Sequence, residues 1–408
     1  MAADSTKVEL HKELTAAAAE LSSAVDAFGR NDELDNANRQ KIVGAAQRIL
    51  SSARDPNLQW MDDALEMGRL AATHLFQVWG GFGQLPKEGA ISFVELAGKL
   101  DAETSLVGRV VGLLTSLGIL QAVGGDSVAH TARSRVLVPE NQLSILYQLM
   151  WDNNMVPYLH LEEYFDKYGR KEPQTVNHIP GTFARGCPEK PMFQYLGENP
   201  AFFKRFTIGM ALIESGSPAS GIYDFTWLVE KAKQEPERTV FVDVGGGSGH
   251  ALLAIHDEFP GLPLERSVLQ DRQELIDAVT AGGNPKMDKV QKVAIDFHAG
   301  QPTKGAMVYF IRRCLHNYGD KICTNMLRII AESMADDSRL LIQEDIKPAP
   351  PDVKTAYLDF LMLTFGGKAR NLSCWEQILK DAGLRISSIS RASGPWESLS
   401  VLECVKVT

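Results

Sequence analysis

Three glycines at alternate positions follow a short apolar run in Phe241-Val-Asp-Val-Gly-Gly-Gly-Ser-Gly-His, at 245, 247 and 249. Glycines so spaced after a buried strand let the chain turn sharply and let a ligand approach bare backbone. Two phosphate-binding turns are excluded by the spacing. A dinucleotide fold needs Gly-x-Gly-x-x-Gly, and its third glycine position is occupied by His250. A phosphate loop needs Gly-Lys followed by Ser or Thr, and that is absent. Asp271 closes a second run, Arg266-Ser-Val-Leu-Gln-Asp, where a carboxylate can accept two hydrogen bonds from a ribose diol. The pattern suits an adenosine cofactor whose cationic end has no phosphate to neutralise. Asp243 reads as a group that orients the loop backbone. His316 stands in Arg312-Arg-Cys-Leu-His-Asn-Tyr, just after a further apolar run, at the carboxyl edge where such sheets bind ligands.

From Thr239 onward the sequence alternates between strand and helix patterns. Strands are predicted over Thr239 to Val244, Arg266 to Asp271, Lys292 to Phe297, Met307 to Ile311 and Ser338 to Glu344. Helices are predicted over Ala251 to Phe259, Gln273 to Thr280 and Asp320 to Met334. Such alternation means a parallel, doubly wound sheet. Residues 140 to 235 read as helical and rich in aromatics, among them Tyr147, Trp151, Tyr164, Phe193, Phe203 and Phe206. Helical core and the wall of an apolar pocket are both open readings of that stretch.

The first third is helical by its three- and four-residue apolar spacing, over Val8 to Phe28, Arg39 to Ala53 and Asp62 to Val78. Ser92 and Glu95 have capping-box spacing, Thr104 to Leu120 reads as a helix, and a Gly124-Gly-Asp turn opens a hairpin ending at Val128-Ala-His-Thr. This is a winged-helix pattern. Its would-be recognition helix, Val107 to Leu117, carries one Arg among mostly apolar residues, unlike a helix that contacts phosphates and base edges. Burial against another helix or a second subunit is expected instead.

Composition agrees. The 408 residues carry 42 Lys+Arg against 51 Asp+Glu, a net charge of −9, which disfavours a nucleic-acid partner. That length implies two or three domains. The five cysteines form neither a CxxC pair nor a zinc-like cluster, so no metal site is expected and the thiols read as reduced. No signal peptide or membrane span is read, and the expected location is the cytoplasm.

The set Val242-Asp-Val-Gly-Gly-Gly-Ser-Gly-His, Leu269-Gln-Asp, Ile295-Asp-Phe, Gln301-Pro-Thr-Lys-Gly-Ala, Arg312-Arg-Cys-Leu-His-Asn-Tyr-Gly-Asp, Leu341-Ile-Gln-Glu and Gly366-Gly-Lys-Ala-Arg resembles the S-adenosylmethionine-dependent O-methyltransferases of the plant caffeate and fungal secondary-metabolite type. The likeness spans nearly the whole chain, including His130-Thr. It implies an α/β class I methyltransferase fold, a Rossmann-like doubly wound sheet with an N-terminal all-helical winged-helix dimerisation domain. The domains would be residues 1–135 for dimerisation and 136–408 for cofactor binding and catalysis, with 136–235 as bridge and pocket wall. By the same resemblance S-adenosylmethionine is held by Gly245, Gly247 and Gly249, by Asp271 at the ribose, by Asp296 and Phe297 at the adenine, and by Arg312 nearby. His316 is the general base, steadied by Glu344, and the substrate is an apolar or aromatic natural product with a phenolic or enolic hydroxyl. A homodimer with no nucleic-acid or membrane partner is implied.

Two positions depart from the family pattern. Ala369 stands where a second orienting Glu is usual, and Asn317 where Asp usually follows the His. A pericyclase offshoot of the family keeps the cofactor as a fixed positive charge and performs dehydration and cycloaddition or ene chemistry without methyl transfer. In that alternative Arg312, Arg313, His316 and His130 are the candidates to polarise a substrate carbonyl, and His130, Arg313 and Asn317 are candidate substrate contacts.

Overall fold

Long runs of Ala, Leu and charged residues without Pro form the helices Ala2–Phe28, Asn36–Ala53 and Gln59–Val78 in the computed structural model, which describes residues 2–29 and 36–407. Ser92 caps the helix Phe93–Leu100, its hydroxyl accepting the Glu95 N–H at 3.2 Å. The next helix, Thr104–Ser116, buries Val107, Val110, Val111 and Leu114, one stripe at i, i+3, i+4 and i+7, and contacts the helix Gln59–Val78. This burial is what its sparse charge anticipates. The helix stops at Ser116 rather than at Leu120, because Gly118 enters the left-handed region at φ 67° and turns the chain into a strand. The hairpin pairs strands β2 (Leu120–Val123) and β3 (Ser127–His130). A further strand absent from the sequence reading, β1 (Ala90–Ser92), pairs with β3. These elements belong to one compact unit, Met1–Arg135.

The second unit, Val136–Thr408, is built on a seven-stranded sheet. Its strands are β4 (Phe241–Val244), β5 (Ser267–Asp271), β6 (Gln291–Ala294), β7 (Val308–Arg312), β8 (Arg339–Asp345), β9 (Leu384–Arg391) and β10 (Leu399–Lys406), in the order β6-β5-β4-β7-β8-β10-β9. Strands β4 to β8 run parallel, as their alternation with helices requires. Beyond the five expected strands the sheet continues at one edge with an antiparallel pair, β10 running against both β8 and β9. Only residues 392–398, with one 3₁₀ turn at Gly394–Trp396, separate β9 from β10, too few for a crossover, so the two pair as an antiparallel hairpin.

Every residue of β4 and β7 is buried. Alternate residues feed opposite faces, Val242, Val244, Tyr309 and Ile311 joining one core cluster and Phe241, Val308 and Phe310 the other. Helices cover both faces, which is why these strands read as near-continuous apolar runs. The strand order reverses between β4 and β7, so the loops leaving their carboxyl ends diverge and open a crevice. The strand predicted to reach Phe297 ends at Ala294, because the Asp296 carboxylate accepts the His298 N–H at 2.9 Å and turns the chain.

Candidate active site

The glycine turn leaves β4 at the reversal point. Gly245 N–H and Gly246 N–H both donate to the Gln270 carbonyl, at 2.8 and 3.2 Å, which ties the turn to the end of β5. Gly245 and Gly247 lie at φ 71° and 58°, a region costly for residues with a Cβ, and Gly247 has open space beside it. Gly247 N–H donates to Asp271 Oδ2 at 2.8 Å, and Arg272 N–H to Oδ1 at 2.7 Å. Each carboxylate oxygen keeps a further lone pair, so Asp271 is aimed and still able to accept from a diol. Burial raises the Asp271 carboxyl above its usual range despite those two N–H donors. Asp243 is fully buried behind the turn, and its Oδ2 has no hydrogen-bond partner.

Burial, reinforced by the nearby Asp271 charge and opposed by Arg312, pushes the Asp243 carboxyl from 3.8 up to about 7. The folded chain therefore holds a proton that the unfolded chain releases between those values, so stability falls as pH rises across that window. Asp243→Asn removes this component in the cofactor-free protein. The variant should gain on the parent by up to about 4 kcal/mol between about pH 3 and about pH 8, read from urea midpoints. An unchanged gap across that range would show that Asp243 is ionised throughout.

His316 sits on a single 3₁₀ turn, Leu315–Asn317, just beyond β7. Glu344, buried on the adjacent β8, organises that turn from beneath. Its Oε1 accepts the Leu315 and His316 N–H groups at 3.0 and 3.3 Å, and its Oε2 meets His316 Nδ1 at 2.7 Å. Burial alone would raise the Glu344 carboxyl, but the His316 ring, Arg313 and the backbone N–H hold it below the usual value. An ionised carboxylate only accepts, so the Nδ1 position carries the proton and Nε2 is left as the basic nitrogen.

The crevice is a cavity of about 1800 Å³ walled by residues of the second unit. Gly245, Gly247, Asp271, Asp296, Phe297, Arg312, Arg313, His316 and Asn317 all line it. Gly249 stands apart from that wall, where it begins the helix His250–Glu258 against Met287, and Glu344 lies behind His316. His130 belongs to the first unit, where its Nδ1 meets Ser134 Oγ at 2.9 Å. The two open readings of the aromatic stretch divide by residue. Phe193, Phe203 and Phe206 line the cavity with Met210, Leu361 and Phe365, whereas Tyr164 packs in an edge-on cluster with Phe165 and Phe183. Among the described residues no His/Cys/Asp/Glu group has a metal-binding arrangement, and no helix is long and apolar enough to cross a membrane.

A family model described as an O-methyltransferase domain matches residues 176–385. The chain is 32% identical over 377 residues to Methyltransferase cfoD of Aspergillus candidus, covering 90% of this chain and 92% of that protein. The chain belongs to the O-methyltransferase family. Among solved structures, OxaC in complex with sinefungin and meleagrin superposes with a TM-score of 0.83 at 21% identity, over 97% of this chain and 99% of that one. A structure described as a pericyclic reaction enzyme superposes with a TM-score of 0.76 at 19% identity, over 96% and 99%. These likenesses carry the class I methyltransferase fold.

Two residues of this chain that sequence reasoning passed over hold the His316 turn. Arg370 is fully buried and donates to the Leu315 carbonyl at 3.1 Å, the Tyr318 carbonyl at 2.6 Å and Asp320 at 2.8 Å. Gly367 passes so close that a Cβ there would stand 1.9 Å from the His316 carbonyl oxygen. Both lie in the segment read only for its missing Glu, and nothing in their residue types announces that they bind a distant loop. Arg370→Leu removes a charged donor from all three acceptors, although the Leu315 carbonyl keeps the Tyr318 N–H at 3.2 Å and Asp320 keeps Lys368 at 3.2 Å. It should cost on the order of 1.5–3 kcal/mol, measured as a fall in the urea midpoint. A loss below about 1 kcal/mol would show that water satisfies the turn instead.

The departures from the family pattern also have local geometry. Ala369 offers no carboxylate, and its N–H donates to Asp359 at 2.8 Å. Asn317 Nδ2 donates to the Cys314 carbonyl at 3.2 Å, a bond the usual Asp could not make when ionised. Arg313 adopts φ 49° and makes only a loose ion pair with Asp345 at 3.7 Å. Arg312 is nearly buried, its Nη1 3.1 Å from His250 Nε2 and its Nη2 3.4 Å from Ser217, and burial lowers its pKa.

Proposed function

We propose that this chain is an S-adenosylmethionine-dependent methyltransferase of secondary metabolism that methylates a phenolic or enolic hydroxyl, with His316 as general base. The observation that carries the reading is the 2.7 Å contact between His316 Nδ1 and buried Glu344, on a ring that lines an apolar cavity. The cavity residues fit the cofactor. The bare backbone at Gly245 and Gly247 would admit close approach of its methionine part, Asp271 keeps lone pairs that would serve the ribose, and Asp296, Phe297 and Arg312 on the cavity wall would hold the adenosine end. When bound, the cofactor supplies an electrophilic methyl group on a sulfonium. A protonated phenol or enol is a weak nucleophile, so His316 Nε2 takes the hydroxyl proton while Glu344 stabilises the imidazolium that results. Glu344 also fixes the ring's tautomer and direction.

The competing reading is a pericyclase on the same scaffold, favoured by Arg313 on the cavity wall and by Ala369, which leaves one carboxylate on the His316 ring. The deciding experiment incubates purified protein with S-adenosylmethionine and a panel of phenols and 1,3-dicarbonyl enols. Release of S-adenosylhomocysteine equimolar with a methylated product is expected. A product of unchanged mass, or lighter by one water, with the cofactor intact would establish the pericyclase instead.

Residues 1–135 are proposed as the dimerisation domain. Trp60, Met67 and Val78 on the helix Gln59–Val78 are 65%, 67% and 63% exposed, an apolar load that monomeric surfaces seldom carry on one element. Light scattering at micromolar concentration should return a dimer mass, and a monomer would end this assignment.

A further inference from the structure

The helical ladder between Gln142–Met150 and Val156–Leu159 is interrupted by one π-helical turn, Trp151–Met155. Such turns are rare and concentrate at functional sites. Here the orientation of the turn is held by two arginines. Arg205 reaches the Asp152 carboxylate with Nε at 3.2 Å and Nη2 at 2.9 Å, and Arg185, stacked 5.0 Å over the Phe202 ring, donates to the Asp152 carbonyl. With Asp152 committed to those partners, the next two residues, Asn153 and Asn154, stand on the wall of the large cavity.

Both asparagines are buried, and the side-chain oxygen of each has no hydrogen-bond partner. Asn154 Nδ2 is occupied, donating to the Tyr357 hydroxyl. The surrounding wall is apolar, including Met150, Met192, Phe206 and Met210. A buried carboxamide oxygen left unpaired among such groups is costly, and native interiors seldom contain one. The buried carboxamides of Gln270 and Gln301, by contrast, exchange hydrogen bonds at 2.8 Å in both directions. Asn153 and Asn154 are neighbours, on one turn, in the wall of one cavity. A carboxamide moves easily about its last torsion, so its oxygen can turn to meet a donor in the cavity.

We propose that Asn153 and Asn154 form a substrate-recognition pair that accepts hydrogen bonds from an N–H or O–H group other than the hydroxyl that reacts. The chamber thereby selects apolar, ring-bearing molecules that carry such a donor and rejects those that leave the carboxamides unpaired. This deepens the reading of the cavity as the substrate chamber and rests on it. The test uses indole and 1-methylindole, two apolar probes that differ by one N–H donor, titrated calorimetrically with S-adenosylhomocysteine present.

The parent protein should bind indole about tenfold more tightly, the equivalent of one neutral hydrogen bond. The Asn153→Leu/Asn154→Leu variant should lose that preference. The single variants, checked by far-UV circular dichroism, carry the test if the double variant does not fold. An equal indole preference in parent and variant, a preference for 1-methylindole in the parent, or binding of neither probe overturns the inference. Neither probe has a hydroxyl to methylate, so the outcome is independent of methyl transfer. A chain that methylates phenols but shows no donor preference refutes the recognition pair alone, and the converse refutes methyl transfer alone.

Discussion

His316→Ala should lower the rate of methyl transfer by about 10²- to 10⁴-fold, the contribution of a positioned general base. The affinity for S-adenosylmethionine should stay within about twofold. The two expectations belong together because His316 meets Glu344 and lines the cavity, whereas the groups suited to the cofactor stand on the glycine turn, at the ends of β5 and β7 and just beyond β6. Loss of the imidazole leaves Glu344 bonded to the Leu315 and His316 N–H groups, so the turn keeps its backbone anchors. Single-turnover rates at saturating cofactor, with calorimetry for the affinity, separate the two quantities. A rate within about threefold of the parent would remove His316 as the base and leave ionisation of the substrate to the solvent.

Asp271→Ala should weaken cofactor binding by about 10- to 150-fold, corresponding to roughly 1.5–3 kcal/mol for hydrogen bonds to a charged acceptor. Once the cofactor is saturating, the turnover rate should recover most of its value. Two losses combine here. The ribose loses its acceptor, and Gly247 N–H loses the bond at 2.8 Å that sets the turn at its left-handed φ. Asp271→Asn is the informative companion. Its carboxamide keeps one acceptor oxygen but cannot accept from Gly247 and Arg272 together while also serving a diol, so its affinity should fall between those of the parent and the Ala variant. Calorimetric affinities for all three proteins decide the matter. Equal affinity across the series would show that the ribose is held by other groups.

Much of this architecture is local in origin and therefore legible in the residue order. The buried strands β4 and β7 are continuous apolar runs because helices cover both faces, and that composition survives any register. The Ser92 cap and the stripe Val107, Val110, Val111 and Leu114 follow from contacts three and four residues apart. Boundaries were less legible. The helix after Thr104 ends where Gly118 turns left-handed, and β6 ends where Asp296 bonds to its own turn. Both are choices of one residue's conformation, which periodicity does not encode.

The glycine turn, the acidic residue closing β5, the His after β7 and the family to which they belong are legible in residue order, because these residue types at these spacings answer local chemical needs. Tertiary structure alone decided which of them meet. Glu344 is 28 residues from His316 in the chain, and their contact exists because β7 and β8 pair in parallel with Arg312 opposite Gln343. Arg370 reaches the same turn from more than 50 residues away. The π-turn that sets Asn153 and Asn154 in the cavity wall depends on arginines at 185 and 205. Such contacts depend on how separate elements pack, and the energy of a buried ion or an unpaired amide is a property of the surroundings rather than of the residue.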